Sequence, residues 1–348
     1  MFSKNNPLVS IIIPSFNTKD YLLACLDSIF KNTKVDFEII VVEGGSTDGS
    51  VNSLKERFSK NEKFRLINLE QNVGPAAKRN YGIKRAKGKY LVFLDSDTLV
   101  SPGWLKWPIA YLEKTPEIAG GQLKIMAMGD KERFDSVGEK ISNLGFLVER
   151  ARSAKDTGQF DRTEPIFSGK TAGMIFKKDV VISAGMFDPD YFIFWEEPDL
   201  CWRIWKLGYK IVFLYMGKIY HAYDLKKPSP DWQNKLTYFG CRNQLTTIIK
   251  NGVGLRGLIM LLSAIFTWTL LLFGFLIRFD FPKAKSILTA YYYLLKNFNK
   301  ILIKRGKLKK LLGENFYSDK KWLNKLTVKR KISWYLGKGI NYLLQKPF

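Results

Sequence analysis

The residues best suited to chemistry are the two carboxylates of Asp95-Ser96-Asp97, which follow directly on the apolar run YLVFL. Two hard oxygen ligands one residue apart suit Mg²⁺ or Mn²⁺, and such a cation bridges a diphosphate well. A lone D-x-D is weak evidence, because a solvated acidic turn at the start of a helix gives the same pattern. Its position strengthens it. Two further apolar runs also end in polar residues, VSIIIP in Ser15-Phe16-Asn17 and FEIIVV in Glu43-Gly44-Gly45-Ser46. Polar clusters at several strand ends are what a ligand site along one edge of a sheet requires.

The elements that must carry these clusters are legible as hydrophobic patterns. Short apolar runs predict strands at residues 9–14, 37–42, 64–69 and 90–94, and helical spacing predicts helices at 21–30, 50–58 and 75–86. That alternation implies an α/β chain with a mostly parallel, doubly wound sheet flanked by helices. Further on, strands are expected at 120–128, 167–177 and 210–214. A charged, loop-rich stretch separates the first two at 129–164, and a helix with proline in its first turn is expected at 198–207.

Composition bounds the rest. A chain of 348 residues, 46% hydrophobic and 14% aromatic, can bury one large core plus a C-terminal appendage. The three cysteines, Cys25, Cys201 and Cys241, lie far apart and form neither a disulfide framework nor a zinc pattern, which fits a reducing compartment. The first apolar run is too short for a signal peptide and is stopped by Pro14, so the bulk of the chain is expected in the cytosol. The net charge of +24 is uneven. From Leu255 onward 19 Lys/Arg face three acids, a net +16, and the residues before it hold 37 basic against 29 acidic side chains. Such a tail calls for an anionic partner: lipid headgroups, nucleic acid or a phosphorylated substrate. Residues 258–277 hold no charge, are bounded by Arg256 and Arg278, and are long enough to cross a bilayer. Residues 283–348 interleave lysines with aromatic and aliphatic residues, as helices on an anionic membrane surface do.

Five segments in order, VSIIIPSFN, VVEGGSTDGS, NVGPAAKRNYGI, YLVFLDSDT and GMFDPDYFIFWEEPDLCWRIWKLGYKI, resemble glycosyltransferase family 2 over about residues 8–245. The details are nearest to its rhamnosyltransferase-like members. The resemblance implies a GT-A, Rossmann-like catalytic domain at 1–250, followed at 251–348 by a helical, membrane-associated region. It also implies an inverting, metal-dependent transfer from a nucleotide diphosphate sugar to a hydroxyl of a glycan or lipid-linked acceptor. Pro14, Ser15 and Asn17 match the nucleotide-contacting first segment. Glu43 stands where the family has the first residue of an acidic pair that reads base and ribose, and Gly44 replaces the second. Arg79 and Asn80 match a donor-contacting Arg-Asn, and Asp95 with Ser96 completes the donor set. Glu197 takes the place of the family's catalytic base, one methylene longer than its Asp, with Glu196 as the alternative base. His221, the sole histidine, matches a family histidine that joins Asp95 and Asp97 at the metal or diphosphate. Gly173, Met174, Trp195 and Glu196 are expected to line the sugar or acceptor pocket, although core packing explains Met174 equally well. Tyr238 and Arg242-Asn243 match a family segment that serves either phosphate contact or helix anchoring.

Nucleotide sugars are cytosolic, so the catalytic domain is expected on the cytoplasmic face of the cell membrane. A single crossing would put the basic tail on the far side, against the positive-inside tendency. The remaining membrane arrangements are a hairpin, turning near Asp280-Phe281-Pro282 with 287–303 as its second arm, or a monotopic attachment; burial of 258–277 in a soluble core is the plain alternative, which the basic flank disfavours. Placement at the membrane suits an acceptor on a polyprenyl phosphate, and nucleic acid is not expected as a partner. The competing classes are a nucleotidyltransferase, whose Gly-rich first loop is absent from SIIIPSFNTKDY, and a catalytically degenerate polybasic protein that binds membrane or RNA.

Overall fold

The computed structural model describes residues 6–225 and 229–330. The expectation of surface helices beyond residue 330 lies outside the described residues.

The first compact unit comprises residues 1–139 and 149–227. It opens with the predicted alternation: β1 (Val9–Ser15), α1 (Lys19–Asn32), β2 (Phe37–Glu43), α2 (Ser50–Phe58), β3 (Phe64–Asn68), α3 (Pro75–Arg85) and β4 (Tyr90–Phe93). β1, β2 and β4 are buried along their whole length, so continuous apolar runs rather than alternating ones encode them. β1 pairs in parallel with both β2 and β4, and β2 pairs in parallel with β3. After β5 (Thr98–Val100) and α4 (Lys106–Lys114) come β6 (Ile118–Ala127), β7 (Phe134–Ser136) and, beyond β8 (Glu139–Ser142) and β9 (Leu147–Glu149), most of whose residues fall in the second unit, β10 (Glu164–Pro165). The unit closes with β11 (Met174–Lys177), α5 (Lys178–Ser183), α6 (Glu196–Lys206) and β12 (Lys210–His221). The sheet runs β10-β12-β6-β11-β4-β1-β2-β3, with β5 on β12 and β7 on β6.

Three differences from the sequence reading have physical causes. The strand expected at 167–177 shrinks to β11, because residues 171–173 close a 3₁₀ turn first. β11 then inserts antiparallel between β4 and β6. β12 does not stop at Leu214. A register shift between Leu214 and Lys218 lets it continue to His221, so the histidine ends a strand instead of following one. The loop-rich stretch at 129–164 contains the short strands β7, β8, β9 and β10, too brief and polar to show periodicity.

The second compact unit comprises residues 140–148 and 228–348, so the division falls earlier than residue 250. Its helices are α7 (Pro230–Asn251), α8 (Gly254–Ile277), α9 (Phe281–Lys296), α10 (Phe298–Leu312) and α11 (Asp319–Leu326), followed by β13 (Thr327–Val328). α7 belongs here because it packs on α8, α9 and α10. Arg242 of α7 lies against the rings of Tyr238, Phe239 and Tyr293 and donates to Asn243 Oδ1 at 2.7 Å, contacts that anchor a helix. The second arm of the α8–α9 hairpin is α9 at 281–296, because the helix breaks at Asn297 before 303 is reached.

The β6–β12 seam depends on Gly121, where an added Cβ would stand 1.9 Å from the Val212 carbonyl oxygen. Gly121→Val is therefore expected to destabilise the chain by about 2 kcal/mol or more. A urea midpoint equal to that of the wild type would contradict this account.

Candidate active site

The ends of β1, β2 and β4 converge through side chains. Ser15 Oγ donates to Glu43 Oε1 at 2.6 Å, and Glu43 Oε2 accepts the Ser46 amide at 3.2 Å. Glu43 and Ser15 are both buried, as is Pro14, so these residues stitch the strand ends together. Asn17 is exposed, takes a left-handed φ of 52°, and accepts the Thr47 amide at 2.9 Å while its own N–H donates to Ser46 Oγ at 2.7 Å. Ser96 Oγ accepts from Thr18 Oγ1 at 2.9 Å. The space left by Gly44 is taken by Lys78, whose Nζ lies 2.8 Å from where a Cβ would stand and donates to the Ser15 carbonyl at 2.8 Å. Burial pushes that ammonium down to about 8, against the attraction of Glu43.

Arg79 ties the D-x-D to the acidic helix start. Its Nη2 donates to Asp95 Oδ1 at 2.9 Å and its Nη1 to Glu196 Oε1 at 3.0 Å, from a side chain only 3% exposed. Burial opposes its charge, but Asp95 and Glu196 outweigh that and hold its pKa above the ordinary arginine value. Burial and then the charge of Glu197 push Glu196 above the usual carboxylate range, while the Arg79 guanidinium pulls it back down. Glu196 is thus enclosed and committed to Arg79. Glu197 is only partly buried, and the hydrogen bonds it accepts, from the Thr171 amide at 3.3 Å and hydroxyl at 2.6 Å, both reach Oε1. Asn80 uses its amide at both ends on the Phe187 backbone, at 2.7 and 3.0 Å.

The approach to α6 is strained. Phe192, Phe194 and Trp195 take left-handed φ values of 59°, 66° and 68°, a concentration typical of functional sites. Gly74, itself at φ 82°, lets α3 come against Phe192, whose backbone a Cβ would meet within 2.7 Å. Gly173 packs against Ile219, and Met174 has no exposed surface on β11, so core packing accounts for the methionine.

Asp95, Asp97 and His221 each offer a ligand atom within 4.8 Å of the others. His221 Nε2 lies 3.4 Å from Asp97 Oδ1 and 4.0 Å from Asp95 Oδ2. Its Nδ1 is committed to Asp135 Oδ2 at 2.9 Å, and Asp135 is in turn held by Lys170 Nζ at 3.0 Å. A carboxylate on one ring nitrogen fixes the tautomer that presents the other nitrogen to a metal. Two carboxylates and an imidazole so oriented fit Mg²⁺ or Mn²⁺. Burial disfavours a charged His221, but the hydrogen bonds to Asp135 and Asp97 prevail and raise it to about 10. Asp135 goes the other way, to about 2, because the His221 bond and the Lys170 charge overcome its burial. Asp135 and Lys170 carry no motif, and only the pairing of β7 with β6, beside β12, brings Asp135 to the histidine.

Residues 10–182 match the family described as glycosyl transferase family 2. A relative from Bacillus spizizenii, named poly(ribitol-phosphate) beta-glucosyltransferase, is 41% identical over 120 residues, which is 33% of this chain and 19% of that protein. The Staphylococcus aureus TarS 1–349 structure with UDP-GlcNAc superposes with a TM-score of 0.57 at 17% identity, covering 95% of this chain and 92% of that one. The mannosyltransferase PcManGT of Pyrobaculum calidifontis, solved with GDP-Man and Mn²⁺, gives 0.51 at 14% identity over 99% and 89%. These likenesses establish the GT-A fold. The chain spans less than two thirds of the length of the curated relatives it matches.

A proton on His221 competes with a metal for Nε2, and the folded pKa of about 10 lies above the ordinary 6.5. Mn²⁺ affinity is therefore expected to rise between pH 6 and pH 8.5, measured calorimetrically. In metal-free protein the sign reverses: stability from the charged histidine is complete below about pH 6.5 and fades as pH climbs through about 10. The Tm deficit of His221→Gln in chelator should accordingly be larger at pH 6 than at pH 10. A deficit that is flat with pH would contradict the pairing.

Proposed function

Because residues 10–182 belong to glycosyl transferase family 2, we propose that this chain transfers a sugar from a nucleoside diphosphate donor to a hydroxyl of a glycan acceptor, inverting the anomeric carbon. One observation carries the reading: Arg79 holds the D-x-D and the Glu196-Glu197 helix start in one ion-pair chain. Two functions that sit a hundred residues apart in sequence thereby share one site.

Asp95, Asp97 and His221 would hold the divalent cation, which when bound offsets the charge gathering on the leaving diphosphate. The remaining work falls to this chain's own groups. Glu197 accepts the proton of the acceptor hydroxyl as its oxygen attacks, with Thr171 fixing the carboxylate by two bonds to one oxygen. Glu196 is the poorer candidate for base, since it is enclosed and already paired with Arg79. Arg79 adds fixed positive charge beside Asp95, where the donor's phosphates would gather negative charge. Asn17, at the exposed end of β1, remains a candidate for nucleotide contact, and Trp195 for the apolar face of a sugar. The name of the Bacillus spizizenii relative, poly(ribitol-phosphate) beta-glucosyltransferase, supports a polymer rich in free hydroxyls as acceptor.

We read the second unit as the chain's attachment to a membrane at its cytoplasmic face, which suits a lipid-linked acceptor. Support comes from α8, 24 residues long and with a mean hydropathy of 2.2 over its most apolar 18 residues, and from the basic excess after Leu255.

With radiolabelled nucleotide sugars, Mn²⁺ and a glycan acceptor, the wild type should release free nucleoside diphosphate. Glu197→Gln is expected to lower turnover by about 10²- to 10⁴-fold with donor binding retained, whereas Asp97→Ala should weaken metal-dependent donor binding as well. Release of pyrophosphate would mark a nucleotidyl transfer instead. Full turnover in Glu197→Gln would remove it as the base.

A further inference from the structure

α8 presents a solvent-facing stripe of large apolar side chains. Leu255, Leu258, Leu262, Phe266, Phe273 and Ile277 recur at helical spacing and are 49–78% exposed. Only 22% of the apolar window is buried, so the helix is not a core helix of its unit. It either crosses a bilayer or lies along one leaflet. The inner side of the helix decides between them.

Midway along α8, the Trp268 indole N–H donates to Gln244 Oε1 of α7 at 2.9 Å. One residue further, Thr269 Oγ1 meets the Tyr291 hydroxyl of α9 at 3.0 Å, and that hydroxyl also lies 3.1 Å from the Ile265 carbonyl. The middle of α8 is therefore strapped to α7 and α9. Around Gln244, α7 carries Arg242, Asn243, Lys250 and Asn251, and Arg305 of α10 donates to three carbonyls at its C-terminal end. A crossing α8 would take this polar helix into hydrocarbon with it, a costly placement for charged and amide groups. The return arm fails as well. α9 has 16 residues, about 24 Å of helix, against a hydrocarbon core of about 30 Å. Its end at Lys296, and the lysines of α10 beyond, would stop inside the bilayer.

We propose that α8 does not cross: it lies in the plane of a single anionic leaflet, with its outer stripe among the upper acyl chains. The hairpin tip joins it there, where Phe279 (77% exposed, held at φ 58°) and Phe281 (58% exposed) pair edge to face at 6.1 Å. Charge selects an anionic phospholipid surface over a second copy of a basic chain. Residues 254–330 hold 16 Lys/Arg against three acids, so two such faces would repel. This inference rests on the membrane attachment read above and specifies its topology.

The test uses the full chain with phosphatidylcholine vesicles containing or lacking phosphatidylglycerol. Cys25, Cys201 and Cys241 are all buried, so Phe266→Cys and Phe279→Cys can each carry one environment-sensitive dye, with depth read by quencher lipids. Both dyes are expected at the same shallow depth, about 5–10 Å below the headgroups. Binding should be at least tenfold tighter with phosphatidylglycerol, and tenfold weaker for the folded variant L262D/F273D. A dye at 266 near the bilayer centre with 279 at the far headgroups would mean a crossing and overturn the proposal. So would a variant that converts a dimer to a monomer without changing vesicle binding. Absence of vesicle binding alongside intact sugar transfer would sink the attachment alone. Shallow binding without nucleoside diphosphate release would keep this inference and sink the transferase reading.

Discussion

A buried guanidinium shared by two carboxyl groups organises the first unit. Arg79 has almost no contact with solvent, so its charge is tolerable only while Asp95 and Glu196 both face it. That requirement couples three distant pieces of chain: the end of β4, the body of α3 and the start of α6. It also sorts two adjacent glutamates, since the one that satisfies Arg79 is enclosed and its neighbour stays reachable. A lysine here would bring one ammonium in place of a planar fork and could not span both acids in the same way.

A second chain of polar contacts runs from Lys170 through Asp135 to His221 and on toward Asp97. The two chains approach Asp95 from different sides of the sheet order, one by α3 and one by β12. Both depend on close backbone approach, at Gly74 against Phe192 and at Gly121 against Val212, where a side chain would hold the elements apart. Orientation of the ligands is therefore a property of how strands and helices pack, and the D-x-D supplies only its chemistry.

The first half of the fold was legible because β1, β2 and β4 are buried along their whole length and read as nearly unbroken apolar runs. The start of α3 at Pro75 was legible too, whereas α6 opens at Glu196, ahead of the expected 198. The elements that escaped are those set by tertiary pairing. β7 is three residues long and gains its place only against β6, so Asp135 gave no signal. β12 passes a register shift that a hydrophobic pattern cannot reveal, which hid His221 at a strand end. Within the motifs, the three residues read as metal ligands, Asp95, Asp97 and His221, come together as one candidate ligand set. Contacts within the protein were not legible: the Asn80 amide grips the Phe187 backbone, and Glu43 accepts from the Ser15 hydroxyl and the Ser46 amide. No sequence pattern separates an asparagine that meets a ligand from one that meets a loop. Gly44 and Lys78 show the reverse case, a residue whose absence of side chain matters because another fills the space.

The left-handed run through Phe192, Phe194 and Trp195 has a consequence for transplantation between relatives. Aromatic residues adopt that backbone only under compulsion from their surroundings, here the buried Tyr191, whose hydroxyl donates to Asp199 Oδ1 at 3.3 Å, and Gly74 yielding room. The shape of this loop is therefore not written in the loop. Moving it into a homologous scaffold would transfer the letters and leave behind the forces that bend them, and the carboxylate that follows would arrive in the wrong place.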